Sequence, residues 1–292
     1  MSRNPTFIRL RKIMAYSIIN CVVASFEVIS AAAQQLPSPM LSIPRTSNAS
    51  LDWGFSGGFD ISSGKYGAKC GVNITAITCA TTGTTLISIP MTGMLQVGRL
   101  RLEATVPFHH IQGPGRLSGN FGIPVIVAPS TADPKHRSGL GDISIGGAWL
   151  ISRENSLFPG IEIAGVTKLP TAGNGFGTGK SDFGAQLSLH RTLTPWLSAY
   201  GSLGYLWVGE TNSIKLHSGA HAAGGALFKF GSFGGGAILD FQQSSWTGAP
   251  DQVSFNPYLT WYVAGGLGVT IYTTVGMTRA SPNRAIGFRL SL

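Results

Sequence analysis

Residues 181–192 read Ser-Asp-Phe-Gly-Ala-Gln-Leu-Ser-Leu-His-Arg-Thr. Successive side chains of an extended strand point to opposite faces. Phe183, Ala185, Leu187 and Leu189 therefore share one face, and Asp182, Gly184, Gln186, Ser188 and His190 share the other. One face is as apolar as a surface meant for lipid, and the other is wet and partly charged. A soluble sandwich buries its apolar face and shows its polar one. A barrel in a bilayer does the reverse, because every backbone group must be satisfied within the closed sheet while the outside meets hydrocarbon.

The same alternation runs outward in both directions. It predicts strands near 51–61, 85–91, 96–106, 141–151, 157–169, 181–192, 196–209, 216–230, 233–245, 253–263, 266–276 and 284–292. That is about twelve, an even number, as a barrel with both ends on one side requires. The connections alternate in length. Met91–Leu95, Ser152–Ser156, Leu193–Pro195, Gly231–Ser232 and Ala264–Gly265 are short; 64–83, 107–139, 170–180, 210–215, 246–252 and 277–283 are mostly longer. Short periplasmic turns and long external loops are the habit of outer-membrane barrels. The predicted fold is thus an all-β, antiparallel, up-and-down transmembrane barrel over 51–292. The segment 107–139, rich in Gly and Pro, is expected to fold over its mouth, with His109-His110 in that loop.

Composition agrees. Charged residues make up 11% of the chain and Gly 40 of 292 residues, while 43% is hydrophobic. Soluble domains carry roughly 25% charge, and disorder does not go with this much apolar content. No apolar run beyond the leader approaches the roughly 20 residues of a spanning helix.

The leader itself reads as a secretory signal peptide over 1–33. Arg3, Arg9, Arg11 and Lys12 precede the apolar segment Ile13–Phe26, and Ala31-Ala32-Ala33 offers a cleavage site. Its removal leaves 17 basic against 11 acidic side chains, a net charge of +6 with no basic stripe. Nucleic acid is not an expected partner. Residues 34–50, rich in Pro, Ser and Gln, read as a periplasmic lead-in. Cys21 leaves with the leader, so Cys70 and Cys79 form an even pair in an exported chain. A disulfide between them suits an oxidising compartment; two free thiols are the alternative.

Aromatic residues mark strand ends and outward positions: Trp149, Trp196, Tyr205, Trp207, Trp246, Trp261 and Phe288. Rings of this kind favour the membrane interface. The last strand alternates Ile286, Phe288, Leu290 and Leu292. It resembles the closing strand read by barrel-assembly machinery, although Phe is the usual final residue.

Charges facing mid-bilayer lipid would cost roughly 2–4 kcal/mol, so they must face inward. Arg99, Arg101, Glu103, Asp142, Glu162, Lys168, Asp182, Gln186, His190, Asp240 and Arg289 are the candidate lumen lining. They can act as a selectivity lining or merely staple a narrow lumen. Eight strands are filled by side chains and 16–18 enclose a wide channel; about twelve lies between.

Enzyme readings find less support. His217 and His221 are four apart, a zinc spacing on a helix, but on a strand they stand about 13 Å apart. No G-x-S-x-G elbow is present. Ser188 or Ser202 with His190 is the one combination that would suit an outer-membrane lipid hydrolase or acyltransferase. The glycines of 173–179 precede no helix and read as a loop, not a phosphate cradle. No metal or cofactor site is expected.

Gly139-Leu140-Gly141-Asp142-Ile143-Ser144, then Lys168-Leu169-Pro170-Thr171, then Gly175–Asp182 (GFGTGKSD) and Gln242–Asp251 (QQSSWTGAPD) follow in order. In these motifs the chain resembles bacterial outer-membrane transporters of the phenol-degradation meta-pathway type, from about residue 51 to the end. The loop holding Cys70 and Cys79 is not part of that pattern. The resemblance implies a barrel that passes small molecules of hydrophobic or aromatic character. The function expected is passive passage through a narrow lumen in the cell outer membrane, with lipid, assembly machinery and a small solute as partners. A non-conducting structural or adhesin-like binding barrel is the rival.

Overall fold

In the computed structural model, the described residues are 51–64, 70–73, 76–79, 83–113, 116–118, 125–127, 136–173, 176–209, 216–245, 250–263 and 266–292. The leader, the lead-in and Trp246 lie outside them. Seventeen strands follow in order: β1 Leu51–Gly64, β2 Cys70–Asn73, β3 Ala76–Cys79, β4 Thr84–Val97, β5 Leu100–Gln112, β6 Arg116–Ser118, β7 Val125–Val127, β8 His136–Leu140 and β9 Ser144–Ser152. The chain continues through β10 Gly160–Lys168, β11 Asp182–Thr194, β12 Leu197–Trp207, β13 Gly219–Phe230, β14 Phe233–Gln242, β15 Gln252–Tyr262, β16 Gly268–Gly276 and β17 Arg284–Ser291.

Twelve of these close a barrel. Neighbours run β1, β4, β5, β9, then β10 to β17 in sequence, and β17 pairs back onto β1, all antiparallel. Leu292 and Phe55 exchange backbone hydrogen bonds of 2.9 and 3.2 Å at this seam. Closure leaves the barrel wall no free edge. β8 extends the β9 edge, pairing with the far half of β5. β2–β3 and β6–β7 are separate small hairpins within two of the long connections.

The inversion predicted from 181–192 is present around the whole wall. Outward residues are large and apolar: Leu203 is 67% exposed, its register partner Leu187 is exposed beside it, and Leu239, Leu259 and Ile271 are exposed further round the wall. In water such a surface would be a vast apolar patch; against hydrocarbon it is the matching solvent. Trp149, Trp196 and Trp261 sit near the short-turn rim, and Trp196 stacks on Phe230 at 5.4 Å. Tyr205 and Trp207 meet edge-on at 5.0 Å toward the other rim.

The turns explain the hairpin geometry. Gly98 and Gly231 open the two-residue turns 98–99 and 231–232 with φ of +59° and +56°. A two-residue hairpin turn needs positive φ, which Gly adopts without a Cβ clash. The turn at 98–99 corrects the expectation of one at Met91–Leu95: β4 runs unbroken through that stretch. Similarly, 107–112 belong to β5 and 136–140 to β8, so the long connection is shorter than 107–139. His109 and His110 are strand residues, paired with Gly139 and Ser138.

Candidate functional site

The inward face is closed by side chains that meet in groups. Arg101 on β5 carries its guanidinium over β9 to β10. Its cross-strand partner on β9 is the small Ala148, which in turn faces Ala164. Nη2 reaches Glu162 Oε1 at 2.8 Å, and Nε lies 2.9 Å from Glu103 Oε1. Nearby, Gln186 donates to Ser188 Oγ at 2.7 Å, and Ser188 is the register partner of Ser202.

A second group sits where β10 and β11 leave the wall. Lys168 Nζ is 2.6 Å from Asp182 Oδ2 and 3.2 Å from Asp142 Oδ2. Asp182 Oδ1 also accepts from Gly209 N, and Asp142 Oδ1 from Ala172 N, each at 2.9 Å. Thr171 Oγ1 accepts from Ile143 N at 2.8 Å. Three motifs separated in sequence thus become one knot. The knot draws the connection after β10 inward, and Phe176 on it is buried against Leu86, Ile111 and Ala172. Leu86 and Ile111 are themselves register partners on β4 and β5. This connection thus packs against the inner side of β4 and β5, and the 277–283 connection, with Ala280 and Ser281 buried, also turns inward.

Three further pairs complete the wall. His190 Nε2 lies 3.0 Å from Glu154 Oε2, and Glu154 also accepts from Thr192 N and Oγ1 at 2.7 and 2.9 Å. His221 Nε2 lies 3.4 Å from Asp240 Oδ1. Arg289 Nη2 lies 3.6 Å from Asp60 Oδ2. Further round the barrel from the Arg101 group, β12–β16 present a buried patch of Tyr200, Ala223, Leu227, Ile238, Tyr258 and Tyr272.

Arg101, Asp142, Glu162, Lys168, Asp182, Gln186, His190, Asp240 and Arg289 are buried on the inward side, and Glu103 is half-buried beside Arg101. Arg99 is different. It lies in the 98–99 turn, exposed, with Nη1 donating to Ile151 O at 3.3 Å. The reason is the displaced turn: alternation starts only at Leu100. Cys70 and Cys79 are direct backbone partners at the ends of the β2–β3 hairpin.

Sequence reasoning missed Glu154, Phe176, His221 and the three tyrosines as parts of the inner wall. Period two would have found Tyr258 and Tyr272, since each shares parity with inward Thr and Ser neighbours. Glu154 and Phe176 sit in connections where no period operates. His217, in contrast to His221, is exposed ahead of β13.

In fold the chain is similar to the crystal structure of an outer membrane channel from Pseudomonas putida F1, with TM-score 0.61 over 89% of this chain and 97% of that one, at 11% identity. It is also similar to a TodX mutant, a monoaromatic hydrocarbon channel (TM-score 0.39, 10% identity, 90% and 92% covered). A third structure is the transport unit of the autotransporter AIDA-I from Escherichia coli (TM-score 0.43, 11% identity, 92% and 96% covered). At 11% identity the likeness to the Pseudomonas putida channel speaks for the barrel alone, and the other two likenesses carry no argument. No curated protein matches the chain. The family described as "Putative MetA-pathway of phenol degradation" matches residues 80–292, which include the Asp142–Lys168–Asp182 knot, and the chain belongs to that family.

Proposed function

We propose that the protein is an outer-membrane channel for passive passage of small uncharged molecules with apolar or aromatic bodies, through a narrow lumen. The observation that carries this reading is the pairing of the inward charges. Each inward cation is held by carboxylates, Arg101 by Glu103 and Glu162, Lys168 by Asp142 and Asp182, and Arg289 by Asp60. Ion-selective pores use rings of one charge sign. A wall whose charged groups are buried against one another, beside a tyrosine-rich patch, offers little to a hydrated ion and more to a neutral solute. The barrel's similarity in fold to an outer membrane channel supports the same reading. Its partners would be outer-membrane lipid around the apolar face and the assembly machinery acting through β17.

A second reading, a non-conducting binding barrel, is favoured by how tightly the wall is filled. Arg101, Lys168, Asp182 and Asp240 are each 3% exposed or less. Reconstitution separates the two. Proteoliposome swelling in a graded series of neutral solutes should show a sharp size limit, with weak and poorly charge-selective conductance in planar bilayers. Folded protein that passes none of the series leaves only the binding barrel.

A further inference from the structure

The connections on the short-turn side of the barrel are 98–99, 153–159, 195–196, 231–232 and 263–267. The one between β9 and β10 is the longest, and its tip carries two large apolar side chains. Leu157 is 80% exposed and Phe158 61%. Asn155 folds the tip on itself. Its N–H donates to Phe158 O at 3.0 Å, and its Oδ1 accepts from Leu157 N and Phe158 N at 2.9 Å each. Arg191 on β11 then covers the carbonyls. Its Nη1 donates to Asn155 O at 2.6 Å and to Phe158 O at 3.0 Å, and its Nη2 donates to Ser156 O at 2.8 Å.

Three features point to what this tip meets. Arg191 shares the parity of the exposed Leu187 and Leu189, so it stands on the lipid side of the wall and draws the tip outward. Glu154 turns the other way, to His190 and Thr192, so the connection is clamped from both faces of β11. Secondly, the backbone groups of the tip named above are satisfied by the protein. A turn standing in water can leave such groups to solvent, whereas backbone that meets lipid must pair them internally. Thirdly, the tip continues the aromatic rim. β9 supplies Trp149, and Trp196 stands before β12 against Phe230, but β10 between them carries no aromatic residue. Phe158 supplies the ring there.

We infer that the 155–158 turn is a membrane anchor, with Leu157 and Phe158 seated among the phospholipids of the periplasmic leaflet; this rests on the outer-membrane barrel reading and adds a contact that the strands themselves do not make. The Arg191 stem runs along the apolar wall while its guanidinium stays at headgroup level, as long basic side chains do at a membrane edge. The guanidinium holds the tip's carbonyls there, so the two apolar side chains enter lipid without carrying bare backbone with them. Anchors of this kind set how deep and how tilted a spanning element sits. Apolar continuity with the lipid-facing wall favours phospholipid over a soluble periplasmic protein as the occupant.

The test puts a nitroxide on one cysteine at a time in the mature barrel, with Cys70 and Cys79 both changed to Ser. The labelled variants are Phe158→Cys, Leu203→Cys in the lipid-facing wall and Ser232→Cys in an exposed short turn. Each is reconstituted in vesicles of phosphatidylethanolamine and phosphatidylglycerol, and heat-modifiable mobility on gels reports folding. Collisions of the nitroxide with oxygen, which enters lipid, and with a water-soluble nickel chelate, which does not, measure its depth. The label at 158 should meet nickel several-fold less often than the label at 232, approaching the label at 203. Adding Arg191→Gln should return the label at 158 to the value at 232. Leu157→Cys repeats the measurement where Phe158→Cys fails to fold. A label at 158 that meets nickel as often as the one at 232 overturns the anchor and leaves the tip to a soluble partner. Unchanged depth with Arg191→Gln overturns the part given to Arg191. Free access of nickel to the label at 203 would instead defeat the membrane-barrel reading, so the two failures are told apart.

Discussion

Lys168 and Asp182 are cross-strand partners on β10 and β11, and their side chains meet at 2.6 Å with both groups closed to water. The same ammonium holds Asp142 at 3.2 Å, so one cation ties two carboxylates from opposite sides of a connection. Removing one member of a buried pair strands the other, which costs about 3–5 kcal/mol. Lys168→Met should lower the unfolding free energy, read from the urea transition of the folded band on semi-native gels, by that amount. Lys168→Met combined with Asp142→Asn should cost less than the two single changes added together, since they share one partner.

Arg99 and Arg101 are two residues apart and should behave as opposites. Arg101→Gln leaves Glu162 and Glu103 in the wall without their cation and should destabilise by about 3–5 kcal/mol. Arg99→Gln alters an exposed turn and should stay within about 0.5 kcal/mol. The two unfolding curves, recorded in the same detergent, check this. Equal losses would place Arg99 back in the wall.

Phe176 is the side chain that the knot delivers to the mouth, over Leu86 and Ile111. Phe176→Ala should cost roughly 3 kcal/mol as a core truncation. It should also raise single-channel conductance and shift the neutral-solute size limit upward. A loss of stability with unchanged permeation would make Phe176 packing only.

Cys70 and Cys79 are paired residue to residue across the β2–β3 hairpin. Directly opposed strand residues have Cα separations of about 4.5–5.5 Å, inside the range a disulfide spans. We propose that exported protein carries this bond. The intact mass of protein from an oxidising compartment should be about 2 Da below the reduced form, the loss of two hydrogens, with no thiol titrated until a reductant is added. Two alkylated cysteines before reduction would show free thiols.

Much of the wall was legible because its code is local. Period two over 181–192 names the inward and outward residues of β11 without any knowledge of its neighbours, and the same rule orders β9 to β17. It misplaced one turn because Gly93 in Met91–Leu95 reads as a breaker, whereas Gly98 is the residue with positive φ. It ended β5 too early because Pro107 reads as a strand end. In the barrel Pro107 sits within the β4–β5 ladder, opposite Pro90.

By itself, then, the amino-acid order determined an inverted barrel, its approximate strands and the side of the wall each residue takes, since all three depend on alternation within a few residues. Which inward groups meet was decided only by closure and register. Arg101 and Glu162 are 61 positions apart with a whole strand between them, and they touch because Ala148 on that strand is too small to intervene. The Arg289–Asp60 pair likewise exists only once the last strand has come round to the first, because a contact across the seam has no counterpart in any local pattern.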